Sequence, residues 1–224
     1  ITRFFGVISC ILIALNYSTL YTPTEYLPYI NKELIIISLI IAFILYIMIE
    51  ILIPGRRLVE SIFFAVFGVI YIPYLLCSLI AISDFDLLNG SRFALLLFVT
   101  VWTTDSCAYF AGNAFGKTKM IESISPKKTI EGFIGGYFGS LICVFIFTYF
   151  KFLNYSLTTL QIILLSILIG IFGQLGDFFE SMIKRNYKIK DSSNLLLGHG
   201  GFLDRFDSII ISSPLIFIFL RFIS

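Results

Sequence analysis

The residues whose types and spacing could do chemistry lie between Asp177 and Asp207. Ten charged side chains fall there: Asp177, Glu180, Lys184, Arg185, Lys188, Lys190, Asp191, Asp204, Arg205 and Asp207. Asp204 and Asp207 are three residues apart, which puts both carboxylates on one helix face. Asp177 closes the apolar stretch before them. Three carboxylates of this kind, Asp177, Asp204 and Asp207, suit a hard cation, which takes oxygen ligands. Lys184, Arg185, Lys190 and Arg205 surround them, and Gly198-His199-Gly200-Gly201 allows close backbone approach. Carboxylates, cations and glycines together compose a metal–polyphosphate site. A nucleoside triphosphate needs Mg²⁺ across its oxygens and Lys or Arg against the charge of the transition state. No protein nucleophile is required if the second substrate brings its own phosphate oxygen. The sequence has no Gly-x-x-x-x-Gly-Lys-Ser/Thr loop, which disfavours an ordinary P-loop NTPase. A solvated loop of salt bridges is the plainer alternative, but it does not account for Gly-His-Gly-Gly beside Asp-x-x-Asp.

Three features outside this stretch belong with it. His199 is the single histidine. Flanked by glycines, it reads as a phosphate or base contact, with acid–base work as the weaker option. Asp105 sits inside an apolar segment, where a charge costs at least ~2.5 kcal/mol unless it faces a polar cavity or a partner. It reads as a site residue facing such a cavity, with a structural ion pair as the alternative. Lys127 and Lys128 follow Pro126 at a helix entry that Thr129 can cap, with Glu131 in the first turn. Adjacent lysines there commonly set topology, but beside free backbone N–H groups they also suit a phosphate. Gly132, Gly135, Gly136 and Gly139 follow at spacings of three and four, which close helix packing explains.

The elements that must position these groups are membrane helices. Of 224 residues, 58% are hydrophobic and 13% charged, with mean hydropathy +0.96. That composition excludes disorder and argues against a soluble domain. The 25 Phe and 12 Tyr fit lipid contact and interfacial belts, and a net charge of +2 excludes a general nucleic-acid binder. A spanning helix needs ~20 mostly apolar residues. Seven segments qualify, at about 3–20, 34–53, 60–82, 93–111, 131–150, 158–177 and 206–223. The last is the weakest, being short and holding Pro214. The expected fold is all-α, a polytopic membrane bundle of about seven transmembrane helices. With the N-terminus inside, 12 of the 16 Lys and Arg residues fall on the cytoplasmic side and 4 outside, a positive-inside pattern. Loops 112–130 and 178–205 then share the cytoplasmic side, one helical hairpin apart. Cys10, Cys77, Cys107 and Cys143 read as packing residues, with neither disulfide nor thiolate metal site implied. The chain opens on Ile1 rather than Met, as a trimmed N-terminus would, and the first segment lacks the flanking positive charge of a cleaved signal peptide.

These residues also carry a resemblance. Ser181-x-x-Lys184-Arg185, then Lys190-Asp191, then His199-Gly200-Gly201-x-x-Asp204-Arg205-x-Asp207 is similar to the signature of phosphatidate cytidylyltransferases (CDP-diacylglycerol synthases). Asp105-x-x-Ala108-Tyr109-Phe110, Gly116-Lys117 and Ser125-Pro126-Lys127-Lys128-Thr129-x-Glu131-Gly132 resemble that family too. The likeness covers about 100–208; the first hundred residues match only as apolar spans. Leu197 departs from the family's usual Pro, and members often carry further N-terminal spans. The resemblance implies a single membrane-embedded cytidylyltransferase domain over 1–224, with N-terminal helices in 1–100 and a catalytic part in 101–224. It implies an enzyme that makes CDP-diacylglycerol and pyrophosphate from CTP and phosphatidic acid. Lys184, Arg185, Asp204, Arg205 and Asp207 would be catalytic. Asp105, Lys127, Lys128, Ser181, Lys190, Asp191, His199, Gly200 and Gly201 would bind substrate. Asp177, Asp204 and Asp207 would hold Mg²⁺, with room for a second cation. The expected setting is a bacterial-type plasma (inner) membrane with the active site facing the cytoplasm; a homodimer stays open. A CTP-dependent polyprenol or lipid kinase is the nearer alternative. A transporter is the remoter one, disfavoured because neither inverted repeats nor paired broken helices are visible.

Overall fold

The computed structural model describes residues 2–21, 32–51, 58–86, 88–193, 201 and 203–223. Helix forms in every one of the seven apolar segments, among the described residues. In chain order the elements are α1 (Thr2–Tyr21), α2 (Lys32–Ile51), α3 (Leu58–Val69), a π-helical turn (Ile70–Tyr74), α4 (Ser78–Ser83), α5 (Gly90–Phe115), α6 (Ile130–Tyr149), α7 (Thr159–Asn186) and α8 (Leu203–Ile223). Among the described residues there is no β-strand; one isolated antiparallel bridge joins Lys119 and Thr129. The stretch Ala65–Ser83 and helices α5 to α8 are long and apolar enough to cross a membrane, and Gly6–Leu15 and Ile37–Ile49 are shorter apolar helical stretches of α1 and α2. The protein is a polytopic helical membrane protein.

The helices depart from the expected spans where charge and proline intervene. Pro73 lies in the π-helical turn. Its ring clashes with the carbonyl four residues back and it has no N–H to give, so the helix widens there rather than ending. Pro214 lies inside α8, which still runs 21 residues. Helix α7 continues nine residues past the expected end at 177, to Asn186. Charge ends an apolar run but not a helix, and Glu, Met, Lys and Arg are good helix formers. At 28 residues α7 is ~42 Å long, beyond the ~30 Å hydrocarbon core. Its last turns therefore carry Asp177, Ser181, Lys184 and Arg185 at and beyond the membrane surface.

In sequence order α5 packs on α6, α6 on α7 and α7 on α8, while α4 fits against α5 and α8. Phe93, Leu97, Val144, Leu165, Ile169 and Ile210 are among the buried side chains of this bundle. Small residues permit the close approach that substitutes for a hydrophobic driving force in lipid. A Cβ on Gly135 would lie 2.3 Å from Ala111 Cβ, and one on Gly139 2.6 Å from Cys107 Sγ, so α6 sits directly on α5. A Cβ on Gly176 would come 2.6 Å from the Asp207 carbonyl, which fixes α7 against α8. The cysteines are free, and Cys107 and Cys143 sit in these helix contacts. Hydroxyls inside the helices bond back to carbonyls four residues earlier, as Thr104 does to Thr100 (2.7 Å) and Ser212 to Ser208 (2.7 Å), because lipid offers no partner. Trp102, Phe138, Ile142 and Phe145 stay exposed on α5 and α6, as lipid-facing side chains do.

Candidate active site

The loop between α5 and α6 is shaped before it meets any other element. Gly116 ends α5. A Cβ there would stand 2.1 Å from the Gly112 carbonyl, so only glycine fits. Backbone N–H groups of Lys117 and Thr118 donate to the Glu131 carboxylate at 3.1 and 3.2 Å. Ile130 N donates to Thr118 O (3.0 Å) and Met120 N to Lys128 O (3.1 Å), closing the loop on itself. Thr129 caps α6 by accepting from Gly132 N at 3.2 Å. The loop thereby delivers Lys127 and Lys128 to the start of α6, as the Pro126–Thr129 pattern predicts.

A cavity of about 630 Å³ opens between this loop and helices α5, α6 and α7. Asp105, Lys127, Lys128 and Asp177 line it, together with Tyr109, Asn113, Phe133, Gln174 and Phe178. The intramembrane Asp105 therefore faces a polar cavity. Lys128 Nζ bonds Asp177 Oδ2 and lies 4.2 Å from the centre of the Phe178 ring. Ser181 Oγ donates to the other Asp177 oxygen at 3.4 Å. Asp207 accepts from the Ser208 N–H (2.6 Å) and lies within electrostatic reach of Asp177, Asp105 and Lys128. Asp105, Asp177 and Lys128 thus share one mouth of the bundle, and the backbone of Asp207 on α8 packs beside it against Gly176.

A second cluster lies further along α7. Lys184 Nζ is 2.5 Å from Glu180 Oε2 and 2.7 Å from Asp204 Oδ1. The other Asp204 oxygen accepts from Ser192 N (3.0 Å), Ser192 Oγ (3.0 Å) and Gly201 N (2.6 Å). A Cβ on Gly201 would lie 1.9 Å from Ser192 Oγ, so glycine is required for this wrap. Asp204 and Asp207 start from one helix face, yet their carboxylates serve different neighbours. Among the described residues, no three His, Cys, Asp or Glu side chains stand together as a ready metal site. Arg185 ties the two loops together: Nε donates to Ile124 O (3.2 Å) and Nη1 to Ile189 O (3.0 Å). Lys190, Asp191 and Arg205 are exposed near this cluster. His199 and Gly200 lie outside the described residues, as does Leu197.

Sequence reasoning passed over two polar residues. Glu180 is 1% exposed. Its signal was the i,i+4 spacing to Lys184. Gln174 is an amide inside an otherwise apolar span, and it is 8% exposed.

A family model described as the cytidylyltransferase family matches residues 2–223, nearly the whole chain. The chain belongs to the cytidylyltransferase family. A phosphatidate cytidylyltransferase of Bacillus subtilis is 38% identical over 165 residues, 74% of this chain and 60% of that protein. One of Staphylococcus haemolyticus is 46% identical over 132 residues, 59% of this chain and 50% of that protein. One of Staphylococcus saprophyticus is likewise 46% identical over 132 residues. The chain spans about half the length of these curated relatives. Family membership gives the cavity its context. Lysines and carboxylates at the mouth of a membrane bundle belong to a chain whose kin are named for moving a cytidylyl group.

Proposed function

We propose that this cytidylyltransferase joins CTP to phosphatidate, releasing pyrophosphate and leaving CDP-diacylglycerol in the membrane. The observation that carries the reading is the cavity that brings Asp105, Lys127, Lys128 and Asp177 together at the end of apolar helices. It is open to a polar nucleotide and lies within reach of a lipid headgroup. A phosphate oxygen of the lipid attacks the α-phosphorus of CTP, a new P–O bond forms, and the bond to the β-phosphate oxygen breaks as pyrophosphate departs. Lys127 and Lys128 hold phosphate oxygens, and the loop that Glu131 pins keeps both in place. Positioning and charge stabilisation account for most of such a transfer. Arg185, which bonds Ile124 O, keeps the two cytoplasmic loops in register.

Hard carboxylate oxygens fit Mg²⁺; Asp177 lines the cavity, and Asp207 belongs to α8, which meets α7 at Gly176, next to Asp177. Asp177 and Asp207 would hold the ion, and Asp105, in the cavity wall with Asp177, would serve a second cation; Mg²⁺ would offset charge on the triphosphate. Asp204 differs from the other two in how fully it is used: Lys184 donates to one oxygen, and Ser192 N, Ser192 Oγ and Gly201 N all donate to the other. We assign it to orienting Lys184 and the Ser192–Gly201 wrap.

The deciding experiment uses labelled CTP with purified protein and phosphatidate in detergent. Label from the α-phosphate is expected in the lipid product, and label from the γ-phosphate in pyrophosphate. Transfer of γ-label to lipid would identify a kinase instead. The 12:4 distribution of basic residues supports a site on the cytoplasmic side of a bacterial plasma membrane. Single cysteines at the exposed positions Lys117 and Asn186 are expected to resist an impermeant maleimide in intact cells and to react after lysis. Labelling in intact cells would reverse the orientation.

A further inference from the structure

Gln174 is a buried polar residue of the cavity wall that the proposed chemistry leaves unused. It is 8% exposed and lines the cavity together with Asp177, three residues further along α7. Its amide nitrogen donates to Phe133 O at 3.1 Å and to Gly170 O at 3.0 Å. A primary amide has two N–H donors and one acceptor oxygen. Carbonyl groups only accept, so these two partners determine which end of the amide is nitrogen. Both donors are then used, and among the described residues no group donates to Oε1. Gly136 makes the seat: a Cβ there would lie 2.9 Å from Nε2 and 3.0 Å from Oε1. Helix α6 therefore provides a gap in which α7 can hold an amide with its oxygen as the unused group.

We propose that Gln174 Oε1 is the specificity-determining acceptor for the nucleotide base, taking a hydrogen bond from an exocyclic amine and so favouring cytosine over uracil. This rests on the CTP reading above. A buried acceptor selects a ligand that carries a donor. A diacylated glycerol phosphate presents ester and phosphate oxygens, which are acceptors apart from the phosphate's own proton. Cytosine presents an amine where uracil presents a carbonyl. Opposite Gln174 the carbonyl would leave two buried acceptors facing each other, a mismatch that costs far more than a missing contact. Tyr109, Phe133 and Phe178 in the same wall offer flat apolar surface to a ring. Lys127 and Lys128 lie in the same cavity for the phosphates.

The test measures kcat/KM for CTP and for UTP with phosphatidate in detergent, reading UTP both as substrate and as competitor of CTP. Gln174→Leu is expected to lower the CTP value about 10- to 100-fold and to change the UTP value less than about threefold, collapsing the preference. Gly136→Ala is expected to act in the same direction more weakly, because its new Cβ meets only the flexible end of Gln174. It carries the test if Gln174→Leu does not fold. Equal losses for CTP and UTP, or an unchanged ratio, would overturn the inference and make Gln174 a packing residue. Wild-type protein that makes no CDP-diacylglycerol would instead defeat the proposed function.

Discussion

Asp177→Asn is expected to lose the proposed CDP-diacylglycerol synthesis by about 100- to 1,000-fold while the protein folds normally. Asn keeps the shape of Asp and an oxygen that can still accept from Lys128 and Ser181. It loses the charge that would bind Mg²⁺ and that sets the position of Lys128. The Lys128–Asp177 pair is 30% and 31% exposed on its two sides, so its weakening costs about 1 kcal/mol of stability or less. Mg²⁺-dependent product formation measured beside the thermal midpoint in detergent separates the two effects. Near-wild-type turnover would remove Asp177 from the metal and phosphate machinery. Asp204→Asn is expected to behave differently. Lys184, Ser192 N and Gly201 N all donate to that carboxylate, and an amide would turn its own N–H groups against some of them. Activity and stability should therefore fall together at Asp204.

Lys184→Met is expected to destabilise the protein by about 3–5 kcal/mol. Lys184 and Asp204 are each 13% exposed and Glu180 is 1% exposed. Removing the ammonium leaves two carboxylates in one poorly solvated place without a counter-charge. The thermal midpoint and the yield of folded protein should both drop. Adding Glu180→Gln should restore part of the loss, because it removes one of the stranded charges, and the two changes should be strongly non-additive. A Lys184→Met protein of normal stability but low activity would show instead that Lys184 serves the phosphates and that the Glu180–Asp204 cluster stands without it.

The loop chemistry shows how far local signals reach. Pro126, Thr129 and Glu131 indicate where α6 begins and how it is capped, and the structure has Thr129 at the cap. The same residues do not indicate that Glu131 also clamps Lys117 and Thr118. That contact joins positions 13 and 14 residues apart and exists only once the loop has closed. Gly132, Gly135, Gly136 and Gly139 announce a close helix contact by spacing alone. Which helix each one meets needs the packed bundle: Gly135 and Gly139 face α5, and Gly136 faces Gln174 on α7.

By itself the sequence determined that this is a helical membrane protein, where its apolar segments lie, and that acids, lysines and glycines gather in two loops able to meet. Those properties follow from hydropathy, charge and helix periodicity, which act along the chain or within a turn of it. The tertiary structure decided which carboxylate serves which cation. Asp177 and Asp204 look alike in sequence, yet one meets Lys128 across 49 residues and the other meets Lys184 across 20. It also decided the use of Gln174, whose two donors end on carbonyls of α6 and α7 and whose oxygen is left over. A side chain's hydrogen bonds depend on neighbours brought together by packing, and packing is set by all of the helices at once.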